Sequence, residues 1–183
     1  MNKYELRELT AQYLQLVLDW RNKDNIRLNM INPSKISWED HCNWFTGLQT
    51  RQDRQVMVFC INDKPVGIVS FVDITEDSCS WGFYIGEENV HKGAGLLLGY
   101  YGIEYAFNNY AINKIESQVI DFNEASIAFH KKLFFVQIGV AEKALYRDDI
   151  CRDMVLFELL KETWVKVKTE VLSQALSKIE GRN

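Results

Sequence analysis

Residues 90–98, Val-His-Lys-Gly-Ala-Gly-Leu-Leu-Leu, set a Gly-x-Gly turn between a strand-like run and an apolar helical one. Glycines without a Cβ let the backbone approach an anion. Several N–H groups then face outward, with the positive end of the next helix's dipole behind them. Such a turn binds phosphate, but it is also an ordinary way for a strand to hand over to a helix, and the motif alone is too short to choose. A second group is Arg21, at the end of one predicted helix, with His41 and Trp44 three apart on one face of the next. A guanidinium fits a diphosphate through its forked donors, and an aromatic face fits a uracil or sugar ring. The alternatives stay open: Trp44 as plain core, Arg21 as a surface ion pair. A third pair, Asn123 and His130, lies seven residues apart, two turns along one helical face, with Asn123 as the helix cap. Glu87, Glu88, Asp73 and Asp121 fall near strand ends, where carboxylates are ordinarily solvated, so none is assigned as a base.

The elements that would carry these groups follow from hydrophobic period. Tyr4 to Leu9 reads as a strand, and Thr10 as the cap of a helix with Tyr13, Leu14, Val17 and Leu18 on its apolar face, ending near Asn22. After a polar loop, Ser37 and Asp40 resemble a capping box opening a helix through Leu48. The period then changes to two. Strands at 56–61 and 66–72 are joined by Asn62-Asp63-Lys64-Pro65, and Cys79 to Gly86 makes a third. A helix over 93–109, a strand over 114–120, a helix over 123–133, and strands over 134–140 and 151–160 complete the order βααβββαβαββ. A meander followed by a strand-helix-strand crossover implies an α+β mixed sheet with helices on both faces. The stretch 161–179 adds an amphipathic C-terminal helix, with Trp164, Val167, Val171, Leu172 and Leu176 on one stripe. That stripe either docks on its own domain or serves a homodimer. The reading divides the chain into a domain over 1–160 and an extension over 161–183. Ile179-Glu180-Gly181-Arg182 resembles an engineered protease site.

Composition narrows the partners. The 183 residues, 47% hydrophobic and 25% charged, suit one globular domain with an ample core. A net charge of −4 gives no reason to bind a nucleic acid or an anionic membrane, so small molecules are expected instead. The N-terminal residues lack the apolar core of a signal peptide and no stretch reaches spanning length, so a cytoplasmic location is expected. Cys42, Cys60, Cys79 and Cys151 are scattered without a C-x-x-C pair, which predicts buried packing residues, no metal site and no disulfide framework.

The element order, the Gly93-Ala94-Gly95 turn and the run from Asn123 to Phe135 resemble the GNAT superfamily of acetyl-CoA-dependent N-acetyltransferases, over nearly the whole chain. Trp20-Arg21-Asn22, the Glu39-Asp40-His41 helix with Trp44-Phe45, and Tyr105-Ala106-Phe107 are most similar to one branch. Its members acetylate the 4-amino group of a UDP-linked amino-deoxysugar, a pseudaminic acid precursor. The resemblance implies acetyl-CoA as co-substrate, with no metal. Its pyrophosphate would rest on the N–H groups of His91, Lys92, Gly93, Ala94, Gly95 and Leu96. Its pantetheine arm would pair with the strand at Phe83, Tyr84 and Ile85, where an N–H faces the thioester oxygen. Asn123 would face the cofactor, and His130 would replace the usual tyrosine that protonates the leaving sulfur. Tyr84 is read either as reaching the substrate pocket or as cross-strand packing. Arg21, His41 and Trp44 would hold the nucleotide-sugar.

Three departures stand out. Val90 replaces a common Gln or Arg, leaving His91 or Lys92 to add any side-chain contact; Lys92 is otherwise a solvated loop charge. His130 replaces the tyrosine, so the rate is expected to fall earlier with rising pH. Phe134 replaces the glycine that usually lets this helix end left-handed, so the helix is expected to end another way. The scaffold also acetylates protein N-termini, polyamines and aminoglycosides, and the departures admit a non-catalytic acetyl-CoA binder. Cationic acceptors prefer carboxylates in the cleft; Arg21 and His41 there would argue against them.

Overall fold

A computed structural model describes residues 2–147, 149–179 and 181. Glu180 and Arg182 of the protease-like sequence, and Asn183 of the extension, lie outside the described residues. The chain runs β1 (Tyr4–Glu8), α1 (Leu14–Arg21), α2 (Asp24–Arg27), α3 (Trp38–Leu48), β2 (Gln55–Ile61), β3 (Lys64–Val72) and β4 (Ser78–Ile85). It continues through α4 (Ala94–Asn109), β5 (Lys114–Ile120), α5 (Glu124–Lys132), β6 (Val136–Arg147), β7 (Ile150–Leu160) and α6 (Lys161–Ile179). The strands form one mixed sheet in the order β1-β2-β3-β4-β5-β7-β6, antiparallel except where β4 meets β5.

The expected α+β order is present, with two differences. The predicted polar loop contains the single turn of α2, too short to leave a period, and β6 runs on to Arg147 rather than stopping at Val140. Its second half pairs with β7 across an irregularity between Ala141 and Leu145, so a partner strand rather than its own alternation makes it a strand. The turn from β2 to β3 is tighter than expected. Asn62 and Asp63 alone form it, both at positive φ (51° and 66°), and Lys64 and Pro65 already belong to β3.

Helix starts follow the capping chemistry in two of three places. Asn123 accepts from the Ser126 N–H at 3.1 Å. Ser37 accepts from the Asp40 N–H at 3.0 Å and donates its hydroxyl to the Asp40 carboxylate at 2.7 Å, so the box is closed side chain to side chain. Thr10 makes no side-chain cap: the chain enters α1 through a 3-10 turn at Ala11–Tyr13.

Each face of the sheet has its own core. On one, α4, α5 and α6 pack through residues such as Leu97, Leu133, Trp164 and Val171 onto Phe59, Phe71 and Phe157. On the other, Leu14, Val17 and Trp20 of α1 and Leu48 of α3 cover Val58, Cys60 and Ile68. Helix α6 runs antiparallel to α4, with Trp164 Nε1 donating to Glu104 at 2.6 Å and Lys168 paired to the same carboxylate at 3.1 Å. Most of its predicted stripe therefore docks within the chain, while Leu176 remains exposed. Cys60 and Cys79 are buried as expected, whereas Cys151 is exposed. Among the described residues no helix is long and apolar enough to cross a membrane.

Candidate active-site cleft

The parallel strands β4 and β5 pair over only Ser78–Ser80 against Lys114–Glu116. Beyond that point β4 stays with β3 as far as Ile85, and β5 stays with β7 as far as Ile120. A wedge-shaped gap is left in the sheet. The Gly86 N–H donates to the Val66 carbonyl at 2.9 Å, so by antiparallel alternation the Tyr84 N–H also faces β3, and those of Trp81, Phe83 and Ile85 face the gap. A cleft of about 840 Å³ opens on this gap and continues beneath α1 and α3. An extended ligand can therefore add itself to the β4 edge as a strand would.

At the wide end of the gap lies the glycine turn. Gly93 is the N-cap of α4 at φ 95°, a conformation that side chains rarely adopt, and it sits so close to α6 that a Cβ would lie 2.6 Å from the Ala175 carbonyl oxygen. Ala94 N–H donates to His91 O at 3.2 Å and Leu97 N–H to Gly93 O at 3.0 Å. Among the described residues the amides of Gly95 and Leu96 have no partner, which leaves them for an anion at the helix end. Of the turn, only Gly95 lines the cleft. The His91 ring is turned edge-on to Tyr4, 6.0 Å away, and its Nδ1 lies 3.1 Å from the Lys92 carbonyl oxygen. Lys92 is exposed and Val90 is partly buried against the core.

Arg21, His41, Trp44 and Tyr84 line the cleft together on the side of α1 and α3. Arg21 donates through Nη2 to the Asn32 carbonyl at 2.6 Å, while its Nη1 is buried without a partner. His41 is 3% exposed and stacks on Trp44, ring centroids 5.0 Å apart. Burial holds its pKa below the ordinary value, and its Nε2 has no partner. The Tyr84 hydroxyl is likewise buried and unpartnered, and desolvation pushes its pKa up, so the phenol keeps its proton. Among the described residues no Asp or Glu lines the cleft. The strand-end carboxylates noted in the sequence are elsewhere: Glu88 pairs with Lys23 at 3.0 Å, and Asp121 accepts from the Asp153 N–H at 3.4 Å.

His130 on α5 and Asn123 at its N-cap also line the cleft, but the state of His130 differs from the expectation. Its ring is 2% exposed, stacked on Phe157 at 5.1 Å and edge-on to Trp81 and Phe135. Its Nδ1 lies 2.8 Å from the Ser126 carbonyl oxygen, so the one proton of the neutral ring is there and Nε2 carries a lone pair. Burial depresses its pKa to about 4. An imidazole so held is neutral at neutral pH with its one N–H engaged by Ser126, which differs from the partly charged ring on which the expected early fall in rate was based. At the end of α5, Phe134 adopts the left-handed conformation itself, φ 63°. The Phe135 N–H donates to His130 O at 3.0 Å and the Phe134 N–H to Lys131 O at 3.1 Å, the paired bonds of a Schellman ending without its glycine.

Sequence reasoning missed the far wall of the gap, Ser117–Ile120, and the cleft residues Trp81 and Arg54. Strand splaying leaves no residue signature, and Arg54 belongs to no spaced motif; its position just ahead of a strand was the only signal.

A family model described as an acetyltransferase (GNAT) domain matches residues 3–136. The chain is 27% identical over 128 residues to Acetyltransferase PseH of Campylobacter jejuni (subsp. jejuni serotype O:23/36, strain 81-176), covering 70% of this chain and 80% of that protein. In structure it is similar to a spermidine N-acetyltransferase from Vibrio cholerae in complex with CoA and spermine, with TM-score 0.81, 19% identity, and 88% and 98% of the two chains covered. It is also similar to the Campylobacter jejuni N-acetyltransferase PseH in complex with acetyl coenzyme A, with TM-score 0.65, 22% identity, and 87% and 99% covered.

Proposed function

The chain belongs to the GNAT acetyltransferase domain family and is an acetyl-CoA-dependent N-acetyltransferase; on that premise we propose that its acceptor is the 4-amino group of a UDP-linked amino-deoxysugar, a pseudaminic acid precursor. The observation that carries this is the charge of the cleft: among the described residues two guanidinium groups, Arg21 and Arg54, line it with no carboxylate. A diphosphate is drawn to such a surface, and a polyamine or aminoglycoside is repelled by it. The likeness to Acetyltransferase PseH supports the same reading.

Acetyl-CoA supplies an acyl carbon activated as a thioester. In this reading the free amides of Gly95 and Leu96, with Lys92 beside them, hold the pyrophosphate, and the gap-facing backbone of Phe83 and Ile85 pairs with the pantetheine arm. A gap-facing N–H of β4 donates to the thioester oxygen as charge develops there, a contribution of about 3 kcal/mol for single donors of this kind. Asn123 faces the cofactor from the start of α5. Tyr84, protonated and unpartnered, provides the proton for the departing thiolate, the task the sequence suggested for His130. Arg21 takes the diphosphate, and the stacked His41 and Trp44 rings take the base or sugar. Among the described residues no carboxylate lines the cleft, and in this reading the proton of the amine leaves through water.

Mass spectrometry of a panel of UDP-aminosugars, spermine and an aminoglycoside, each incubated with acetyl-CoA, tests the reading. Acetyl gain on a UDP-4-amino-sugar and on neither polycation is expected. Acetylation of spermine with none of the nucleotide-sugars would overturn it.

A further inference from the structure

Arg54 directly precedes β2 and lines the cleft with its Nε buried and without a hydrogen-bond partner. The carboxylate that pairs with it is already taken. Asp53 lies 4.0 Å from Arg54 Nε, but is held bidentately by Arg51, whose Nε and Nη2 donate at 2.7 and 2.5 Å. A buried guanidinium N–H left unpaired is costly and is satisfied when a ligand oxygen arrives.

The sheet register places this group. Gln55 pairs with Phe71, so Arg54 stands opposite Val72, which pairs with Ser80, the last residue of β4 to pair with β5. Arg54 therefore shares a row with the closed end of the gap. Arg21 lies at the other end, beside Tyr84, whose row is Val58, Ile68 and Tyr84. The two rows are four residues apart, about 13 Å along the strands, and Arg54 is two strands, about 10 Å, from β4. A guanidinium side chain spans much of that second distance, which puts Arg54 on the cleft wall near the closed end of the gap. Two cationic donors thus stand on one wall at a separation that an elongated acceptor can bridge.

We infer that Arg54 binds the sugar of the acceptor, donating from its guanidinium to a carbonyl or hydroxyl oxygen on the ring, while Arg21 binds the diphosphate. This rests on the nucleotide-sugar reading and deepens it: the acceptor lies along the cleft with its sugar toward the closed end of the gap and its nucleotide toward α1. Arg54 is then the residue that separates one aminosugar from another, because it meets the ring substituents rather than the shared nucleotide.

Steady-state kinetics on wild type, Arg54→Gln and Arg54→Lys, with UDP as a competitive inhibitor, tests this. For Arg54→Gln the acceptor KM should rise about 10- to 100-fold, the usual worth of a charge-assisted hydrogen bond, while the acetyl-CoA KM, the UDP inhibition constant and the melting temperature stay at wild-type values. Arg54→Lys keeps the charge but loses Nε and should recover only part of the loss; it also serves should the Gln variant fail to fold. An unchanged acceptor KM overturns the assignment alone. So does UDP inhibition weakened in step with the acceptor, which would put Arg54 on the diphosphate, or a matching rise in the acetyl-CoA KM. Wild type inactive on every UDP-aminosugar overturns the acceptor reading and this assignment with it.

Discussion

At His130 the ring proton is tied to the Ser126 carbonyl and the imidazole lies among Phe157, Trp81 and Phe135, so the folded protein resists charging it. The unfolded chain takes up that proton near pH 6.5, the folded one only near pH 4. Stability from this source is complete above about pH 6.5 and is lost as pH falls toward 4, by about 3 kcal/mol at the lower end. Urea midpoints measured from pH 8 to pH 4 should fall across that window, and His130→Phe should flatten the slope. The same burial is why the proposed mechanism gives the donor role to Tyr84. Removing its hydroxyl with Tyr84→Phe is expected to lower kcat by about 100-fold or more with the acetyl-CoA KM held, whereas His130→Phe should cost less than about 10-fold. Pre-steady-state release of CoA thiol separates the two outcomes; equal losses would return the donor role to His130. The residue types at both positions are plain in the sequence. Their protonation is not, because it depends on rings brought in from β4 and β7.

The ending of α5 illustrates how an element can be right for a reason its sequence obscures. A glycine is the usual residue at the left-handed position; here Phe134 takes that conformation and its ring packs on the core. The ordinary ranking of alanine above glycine should therefore invert. Both Phe134→Ala and Phe134→Gly lose the ring, but only the glycine variant relieves the backbone, and it is expected to be the more stable of the two by about 1 kcal/mol in denaturant titration. Where local chemistry decided an element, the sequence sufficed: the Asn123 and Ser37 caps, and the period of the helices over 93–109 and 161–179, were legible. Where a neighbour decided it, the sequence fell short. The far half of β6 exists because β7 pairs with it, and Thr10 yields to a 3-10 entry.

Across the whole molecule the sheet keeps two cores, one on each face, and the cleft sits where β4 and β5 part between them. Helix α6 closes the α4 side, with Trp164 buried at 1% exposure and bonded to Glu104. Trp164→Ala should therefore cost about 3–5 kcal/mol, read as a lower melting temperature in calorimetry. A stability unchanged by that substitution would mean that α6 contributes nothing to the core it touches. The order of elements and the glycine turn at 93–95 were legible in the sequence alone, because period, capping and turn chemistry are local, whereas Arg21, His41, Trp44, Asn123 and His130 were read there as separate groups and come to one cleft only in the fold. Three further things were decided only by the tertiary structure: the gap between β4 and β5, the absence of carboxylates from the cleft among the described residues, and the arrival of Arg54 on its wall. Each depends on which side chains and backbone edges remain unpaired after packing, and that is a property of neighbours far apart along the chain.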